Sequence, residues 1–180
     1  VSPTASVMSW RGMKHGIKAS NEKHEVVMTP TDYAYFDYMQ ADEATEPKIY
    51  SSLRLNKVYQ FNPVPAEANA DYILGGQANL WTENIYNFRQ VEYMTWPRGF
   101  AMSESLWSPI EHKNWNNFIN KTEEHFKRFD FAEIKYSPAI YDPIITVNSD
   151  TNNQLIVELT PEIEGLDIYY SFDNSSPDCF

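Results

Sequence analysis

The chain has 180 residues, of which 42% are hydrophobic and 15% aromatic, a composition that supplies a packed core and excludes an intrinsically disordered chain. Fourteen basic residues against 25 acidic residues give a formal net charge of −11. This charge repels nucleic-acid backbones and anionic lipid surfaces, and no cluster of lysine and arginine offsets it. We therefore expect no nucleic-acid partner, and a neutral substrate or partner suits the charge balance better.

The cysteine and histidine content and the length of the apolar runs limit the kinds of site and location that the chain can have. The single cysteine, Cys179, excludes an internal disulfide and a four-cysteine zinc site. The four histidines have no metal-ligand spacing, so we expect no metal or other cofactor. No apolar run approaches the roughly 18 residues of a membrane span. The chain begins at Val1 without an initiator methionine and is interpreted as a piece of a longer protein, for which a periplasmic, cell-surface or secreted bacterial location is favoured.

Three short apolar runs, each followed by polar or aromatic residues, mark the first part of the chain. They cover residues 5–10, 25–30 and 72–81, and helical patterns follow the first and the third. Strands that alternate with helices pair in parallel through crossover connections. The pattern therefore predicts an α/β fold, with Pro97 in the first turn of a helix after the third strand.

A segment of roughly 40 residues separates the second and third runs, which is far longer than an ordinary connection and typical of loops that carry function. It contains the acidic pair Asp42-Glu43, which no apolar run precedes, so we interpret it as a solvated charge pair. Gly75-Gly76 lacks the spacing of a dinucleotide-binding loop and predicts a bend or tight packing instead.

The last third of the chain changes character. Residues 114–132 have the spacing of an amphipathic helix, with a buried stripe predicted at Trp115, Phe118, Ile119, His125 and Phe126. A proline-containing linker follows, and from Ile144 onward the pattern becomes that of strands, including 151–160 and 165–172. We therefore divide the chain into residues 1–140 and a truncated, β-rich domain at residues 141–180.

Candidate site residues follow the three predicted strands, because parallel α/β folds bind ligands at the carboxyl ends of their strands. These residues are Trp10 after the first strand, Tyr35 and Asp37 after the second, and Trp81 and Glu83 after the third. Indole rings beside carboxylates suit a neutral sugar, whose C–H faces pack on the rings while its hydroxyls need acceptors. On spacing alone, a core role for the tryptophans and a surface role for the carboxylates explains the same residues.

Five sequence blocks distinguish these alternatives. They occur in the order VMSWRG, MTPTDYAYFDYMQ, VYQFNPVPAE, GGQANLWTENI and WPRGFAMSESLWSP. Over roughly residues 5 to 140 they resemble the C-terminal half of the catalytic barrel of family 20 glycoside hydrolases, the β-N-acetylhexosaminidases. The resemblance implies a partial (β/α)8 TIM barrel, about strands 6 to 8, and the tail IYYSFDNSSPD resembles the start of a small β-sandwich-like domain.

The resemblance also implies a role for each candidate residue. Trp10 and Trp81 resemble walls of the pocket around the substrate's acetamido group, and Tyr35 resembles the catalytic tyrosine that holds the acetamido oxygen. Asp37 resembles the carboxylate that binds hydroxyls near C6 of the terminal sugar. Glu83 resembles the acceptor of the 4-hydroxyl, which favours exo cleavage. The substrate is then a β-linked N-acetylhexosaminide, cleaved with the help of its own acetamido group.

The sequence departs from the family at the general acid, which belongs to an Asp-Glu pair after the fourth barrel strand. That pair and the N-terminal part of the barrel are missing here, so we expect the fragment alone to be inactive. A non-catalytic carbohydrate-binding module, a structural role for the aromatic residues and a disaccharide-releasing member of the family stay open as alternatives. In the last block, Arg98 and Glu104 resemble a structural ion pair, with Trp96 and Trp107 packed against the barrel. A homodimer also stays open.

Overall fold

A three-stranded parallel sheet organises the first part of the molecule. Strands β1 (Val7–Ser9), β2 (Val26–Met28) and β3 (Ile73–Gly76) lie side by side in that order, and both pairings are parallel. Each strand falls within one of the three apolar runs, which confirms the predicted α/β arrangement. All three strands end at the same edge of the sheet, where the residues that follow them are brought together.

The pairing of β2 with β3 is interrupted by a bulge. Its register shifts between Val26 and Val27, and Gly75 at this point has φ of +134°, a conformation that residues with side chains rarely adopt. At the next residue, Gly76, a Cβ atom would lie 2.7 Å from the ring of Phe61. The glycine pair therefore provides both a bend and a close contact, as its sequence predicts.

Helices accompany the sheet along the chain. The computed structural model describes residues 2–173, 175 and 177, so Cys179 lies outside the described residues. The α-helices are α1 (Met13–Asn21), α2 (Thr31–Ala34), α3 (Leu55–Tyr59), α4 (Phe88–Thr95), α5 (Arg98–Trp107) and α6 (Trp115–Phe131). Among the described residues, no helix has both the length and the apolar character needed to cross a membrane.

The amphipathic stripe of α6 is largely as predicted. Phe118, Ile119 and Phe126 are buried, whereas Trp115 is half-buried. His125, also half-buried, stacks on another ring with centroids 4.6 Å apart. Spacing of three and four residues thus identifies the face that α6 packs against the rest of this unit.

The described chain divides into two units, Val1–Ser137 and Pro138–Phe180. In the second unit, β4 (Ile144–Ser149) pairs antiparallel with β5 (Leu155–Thr160). The Asp150 side chain closes the turn between them, because its Oδ1 accepts hydrogen bonds from the backbone N–H groups of Asn152 and Gln154 at 2.8 and 2.7 Å.

The strand predicted over residues 165–172 is wrong. No strand occurs there in the part of the chain that the structure describes, where β5 pairs with the upstream segment β4. Gly165, at the start of that segment, has φ of +87°, which is not an extended conformation. The second unit is therefore a single hairpin in the described residues, and a β-sandwich stays a prediction.

Candidate functional site

An open cavity of about 390 Å³ lies at the carboxyl edge of the parallel sheet. Its walls bring together three of the predicted site residues, Trp10, Tyr35 and Trp81. The remaining lining residues, which the sequence analysis did not single out, are Met8, Thr29, Gln77 and Asn79. Their position at or just beyond the ends of the strands is the signal by which they could have been found.

Tyr35 is placed by a return of the chain to the sheet. After β2 the chain makes the single helical turn α2 and then pairs again with the segment that follows β3. The Phe36 N–H donates to the Asn79 carbonyl at 2.6 Å, and the Asn79 N–H donates to the Ala34 carbonyl at 2.7 Å. These two bonds hold Tyr35, half-buried, at the cavity wall.

A short chain of polar side chains lies within the cavity wall beside Tyr35. The Gln77 Nε2 donates to the Asn79 Oδ1 at 2.7 Å, and the Asn79 Nδ2 donates to the Thr29 Oγ1. Asn79 therefore has partners on both sides, which fixes the orientation of its amide group. Hydrogen bonds therefore orient the polar part of the wall in the absence of a ligand.

The two tryptophans of the wall are partly open to solvent. Trp10 is 46% exposed and Trp81 is 53% exposed, so neither ring is buried in the described residues. The guanidinium of Arg11 stacks on one face of Trp10, 4.6 Å from the ring centroid. Both rings thus offer apolar surface at the same cavity, as sugar-binding aromatic residues do.

Asp37 lies next to this wall rather than in it. Its carboxylate is 5% exposed and accepts a hydrogen bond from the Trp81 backbone N–H, while its Oδ1 is buried without a partner. Burial raises the pKa of Asp37, and the nearby charge of Glu83 raises it further, whereas the Trp81 N–H and the charge of Arg98 lower it. An acceptor in this state is ready to receive a hydrogen bond from a ligand.

Glu83 is exposed and, like Asp37, does not line the cavity. It follows Trp81 by two residues, and its charge is close enough to act on the Asp37 carboxylate. The structure therefore places all five predicted site residues at one edge of the sheet, three in the cavity wall and two carboxylates beside it.

The predicted ion pair between Arg98 and Glu104 is wrong. Arg98 is fully buried, and its guanidinium donates to backbone carbonyls on the loop after β2 and on α4. Glu104 instead pairs with Lys121 of α6 at 3.6 Å. The predicted packing of Trp107 is not found either, since its ring is 86% exposed in the described residues. The physical reason is that backbone acceptors satisfy Arg98, so it needs no carboxylate contact.

The acidic pair in the long loop has local partners. The Asp42 Oδ1 accepts from the Ala44 N–H at 3.0 Å, and Glu43 pairs with Lys48 at 2.6 Å on the surface. No group of three or more metal-ligating side chains occurs in the described part of the chain. Neither observation indicates a catalytic role for Asp42 or Glu43.

Sequence comparisons identify related proteins. The family model described as glycosyl hydrolase family 20, catalytic domain, matches residues 1–110. The β-hexosaminidase of Porphyromonas gingivalis is 40% identical over 141 residues, which cover 76% of this chain and 18% of that protein. The β-hexosaminidase of Akkermansia muciniphila is 27% identical over 138 residues, which cover 72% of this chain and 28% of that protein. The chain thus spans less than a third of either relative.

Solved structures that resemble this chain belong to the same kind of protein as the sequence relatives. An exo-β-N-acetylglucosaminidase from Vibrio harveyi, crystallised with N-acetylglucosamine, has a TM-score of 0.71 and 29% identity, covering 77% of this chain and 23% of that one. A β-N-acetylhexosaminidase from Streptomyces coelicolor, 22% identical with a TM-score of 0.66 over 75% of this chain and 30% of that one, shares the fold. These neighbours are TIM-barrel enzymes, with which a partial barrel agrees. The chain therefore belongs to glycosyl hydrolase family 20, as the five sequence blocks predict.

Proposed function

We propose that this chain supplies one side of the sugar pocket of an exo-acting β-N-acetylhexosaminidase, which removes terminal N-acetylglucosamine or N-acetylgalactosamine. The observation that carries the proposal is the buried Asp37 carboxylate, whose Oδ1 has no partner beside a cavity walled by Trp10 and Trp81. A buried acceptor without a partner costs about 1–3 kcal/mol, and a sugar hydroxyl that donates to it offsets this cost.

The cavity suits a single sugar ring in size and chemistry. Its volume of about 390 Å³ lies within the usual range for small-molecule sites. The tryptophan faces accept the apolar C–H faces of a sugar, and acceptors beside them suit its hydroxyls. Asp37 and Glu83 would bind hydroxyls at the end of the sugar remote from the acetamido group.

In the proposed mechanism the nucleophile belongs to the substrate. The carbonyl oxygen of the 2-acetamido group attacks C1 as the glycosidic bond breaks, and the leaving oxygen takes a proton from a general acid. Water then adds to C1 and opens the resulting cyclic oxazolinium ion, while its proton passes to the conjugate base of the general acid; the acetamide is restored with retention of configuration. We assign the general acid to a residue outside this chain.

Tyr35 has the role of orienting the nucleophile. Its hydroxyl would donate to the acetamido oxygen, which holds that oxygen in line with C1 and stabilises the charge that develops as the bond forms. The two backbone hydrogen bonds that fix its loop to the sheet make this orientation available before the substrate arrives.

Replacing Tyr35 in the complete enzyme tests the proposal. We expect Tyr35→Phe to lower kcat for a chromogenic N-acetyl-β-glucosaminide roughly 100- to 1,000-fold, since one oxyanion-type donor is lost. The matched control is Tyr33→Phe, because Tyr33 lies in the same loop but stacks on Phe61 with centroids 5.6 Å apart. The readout is release of chromophore from this substrate and from the plain β-glucoside.

The comparison of substrates decides between the alternatives. Strong preference of the wild-type enzyme for the acetamido substrate, lost with Tyr35→Phe and kept with Tyr33→Phe, supports the substrate-assisted mechanism. A folded protein that hydrolyses neither substrate would instead have a pocket that binds sugar without catalysis or binds nothing. Release of disaccharides from an oligosaccharide, seen by chromatography, would contradict the exo assignment.

A further inference from the structure

We infer that Arg98 is a positioning residue for the Asp37 carboxylate, because it clamps the backbone on both sides of that residue and so presents the carboxylate to a sugar hydroxyl. The inference rests on the proposed function, in which Asp37 binds the terminal sugar. It assigns a functional role to a fully buried side chain that does not line the cavity.

The guanidinium of Arg98 is held in a cage of backbone carbonyls. Its Nη1 donates to the carbonyls of Tyr38 at 2.9 Å and Leu53 at 3.2 Å. Its Nη2 donates to the carbonyls of Phe36 at 2.6 Å and Met94 at 2.7 Å. Phe36 and Tyr38 are the two neighbours of the carboxylate, so one planar group fixes the backbone immediately before and after it.

The positive charge of Arg98, like its hydrogen bonds, also affects the Asp37 carboxylate. Burial lowers the pKa of Arg98 to about 9, which leaves the guanidinium protonated at neutral pH, and the charges of Glu46 and Asp37 oppose that lowering. In turn, the positive charge lowers the pKa of Asp37 and favours its ionised form. Arg98 therefore orients the carboxylate and offsets part of the rise in its pKa that burial causes.

The burial of Arg98 has a cost for folding. Burying a cation that contacts no carboxylate opposes folding, and its Nε is buried without a partner as well. An apolar side chain would avoid the cost of the charge but would remove the donor to four backbone carbonyls, so Arg98 also stabilises the loop. What the arginine adds is the clamp on the loop and the charge beside Asp37.

The chain offers a matched control in Lys113. Its Nζ also donates to backbone carbonyls, those of Tyr59 and, at 3.3 Å, Phe61, and to the Ser105 Oγ at 3.1 Å. Burial also lowers the pKa of Lys113. It therefore stabilises the end of α3 in the way that Arg98 stabilises the loop, but it holds neither neighbour of Asp37.

The experiment compares an N-acetyl-β-glucosaminide with its 6-deoxy analogue, in the complete enzyme. The ratio of the two kcat/KM values measures how well the enzyme recognises the missing hydroxyl. We expect a ratio of roughly 10 to 100 for the wild type, the range for a hydrogen bond to a charged group, and a ratio near 1 for Asp37→Asn. We expect Arg98→Lys to lower the ratio at least roughly threefold and Lys113→Met to leave it unchanged.

A double-mutant cycle adds a second readout. If Arg98 acts through Asp37, the effects of Arg98→Lys and Asp37→Asn on kcat/KM are less than additive, whereas those of Lys113→Met and Asp37→Asn add. A residue that only stabilises the fold would lower kcat/KM equally for both substrates and leave their ratio intact. Additive effects together with an intact ratio would overturn the inference.

The outcomes separate this inference from the proposed function. If Asp37→Asn keeps the wild-type ratio, the assignment of Asp37 to the sugar fails. If Asp37→Asn lowers the ratio to near 1 but Arg98→Lys keeps the wild-type ratio, Asp37 binds the sugar hydroxyl and only the inferred role of Arg98 is wrong. Should Arg98→Lys not fold, Arg98→Gln takes its place, because it removes the charge and keeps one amide donor in place of the two terminal nitrogens, and the same lowered ratio is expected. An unchanged ratio in that variant would overturn the inference.

Discussion

At the scale of single residues, Asp37 carries the main conflict between stability and function. Burial and the charge of Glu83 favour its protonated form, while the Trp81 N–H and Arg98 favour the carboxylate. Burial is the largest of these effects, so the pKa of Asp37 is raised above its ordinary value of 3.8. An ionised carboxylate at this position destabilises the fold, which is a common cost at binding sites.

Removing the charge should therefore stabilise the protein. Because the pKa is higher in the folded state than in the unfolded state, folding takes up protons and stability falls as pH rises through the folded pKa. We expect Asp37→Asn to raise the free energy of unfolding by about 1 kcal/mol at pH 7, with a gain that shrinks toward acidic pH. Thermal unfolding followed at several pH values measures it.

The control for this prediction lies in the same loop. Asp32→Asn replaces an exposed carboxylate and should change neither stability nor activity. Loss of stability in Asp37→Asn at pH 7 would contradict the prediction, because it would mean that the carboxylate contributes to folding.

The sequence predicts the positions of some individual side chains but not the partners of others. Trp10, Tyr35 and Trp81 were predicted to gather because each follows a strand, and they line one cavity. The partners of Arg98 could not be predicted, because they are backbone carbonyls of residues 36, 38 and 53, up to 62 positions away. Every residue has a backbone carbonyl, so the sequence does not show which carbonyls bind Arg98. The sequence therefore predicted a side-chain partner, Glu104, six residues further along the same helix.

At the scale of elements, the bulge in β3 connects the sheet to the site. Gly75 takes up the shift in register, and the strand then ends in the segment that carries Gln77, Asn79 and Trp81. The position of these three side chains therefore depends on one backbone conformation, with φ of +134°, that only glycine adopts readily.

Substituting this glycine should affect both folding and binding. We expect Gly75→Ala to lower the free energy of unfolding by roughly 1–3 kcal/mol, the range for a residue in a disfavoured backbone region, and to raise KM for the sugar substrate. Chemical denaturation and steady-state kinetics measure the two effects.

Gly165 provides the matched control, since it has φ of +87° in the second unit. Gly165→Ala should carry a backbone penalty of the same kind and leave KM unchanged. A stable Gly75→Ala variant with wild-type KM would show that the bulge does not position the site.

Elements differ in how well the sequence predicts them. Apolar runs bounded by polar residues predicted β1, β2 and β3, because short continuous apolar runs between turn residues are typical of strands in parallel sheets. The segment at 165–172 carries a similar signal but forms no strand in the described residues. Its alternation is only a local property, whereas strand formation needs a partner, and β5 pairs with β4.

At the scale of the whole molecule, the sheet of the first unit is open on both sides. Among the described residues, β1 and β3 each pair with β2 alone, and Met8 and Leu74 are 50% and 61% exposed. A TIM barrel needs eight strands to enclose its interior. In the proposed enzyme the remaining strands cover this surface and complete the pocket.

The purified 180-residue chain should therefore be inactive by itself. We expect no release of chromophore from an N-acetyl-β-glucosaminide above the buffer rate, because the chain supplies pocket walls and no general acid. The complete enzyme at the same concentration is the positive control, and circular dichroism checks that the short chain is folded. Measurable turnover by the folded short chain would contradict the assignment of the acid to another segment.

The partial exposure of Trp10 and Trp81 has a practical consequence. Indole fluorescence shifts to shorter wavelength when water leaves the ring, and both rings are about half in contact with solvent. A sugar seated in the cavity displaces water from both of them at once and shields them from soluble quenchers. Trp107, 86% exposed and absent from the cavity wall, gives a constant background signal. Sugar binding in the pocket can therefore be measured by the change in tryptophan fluorescence, without a labelled ligand and without turnover.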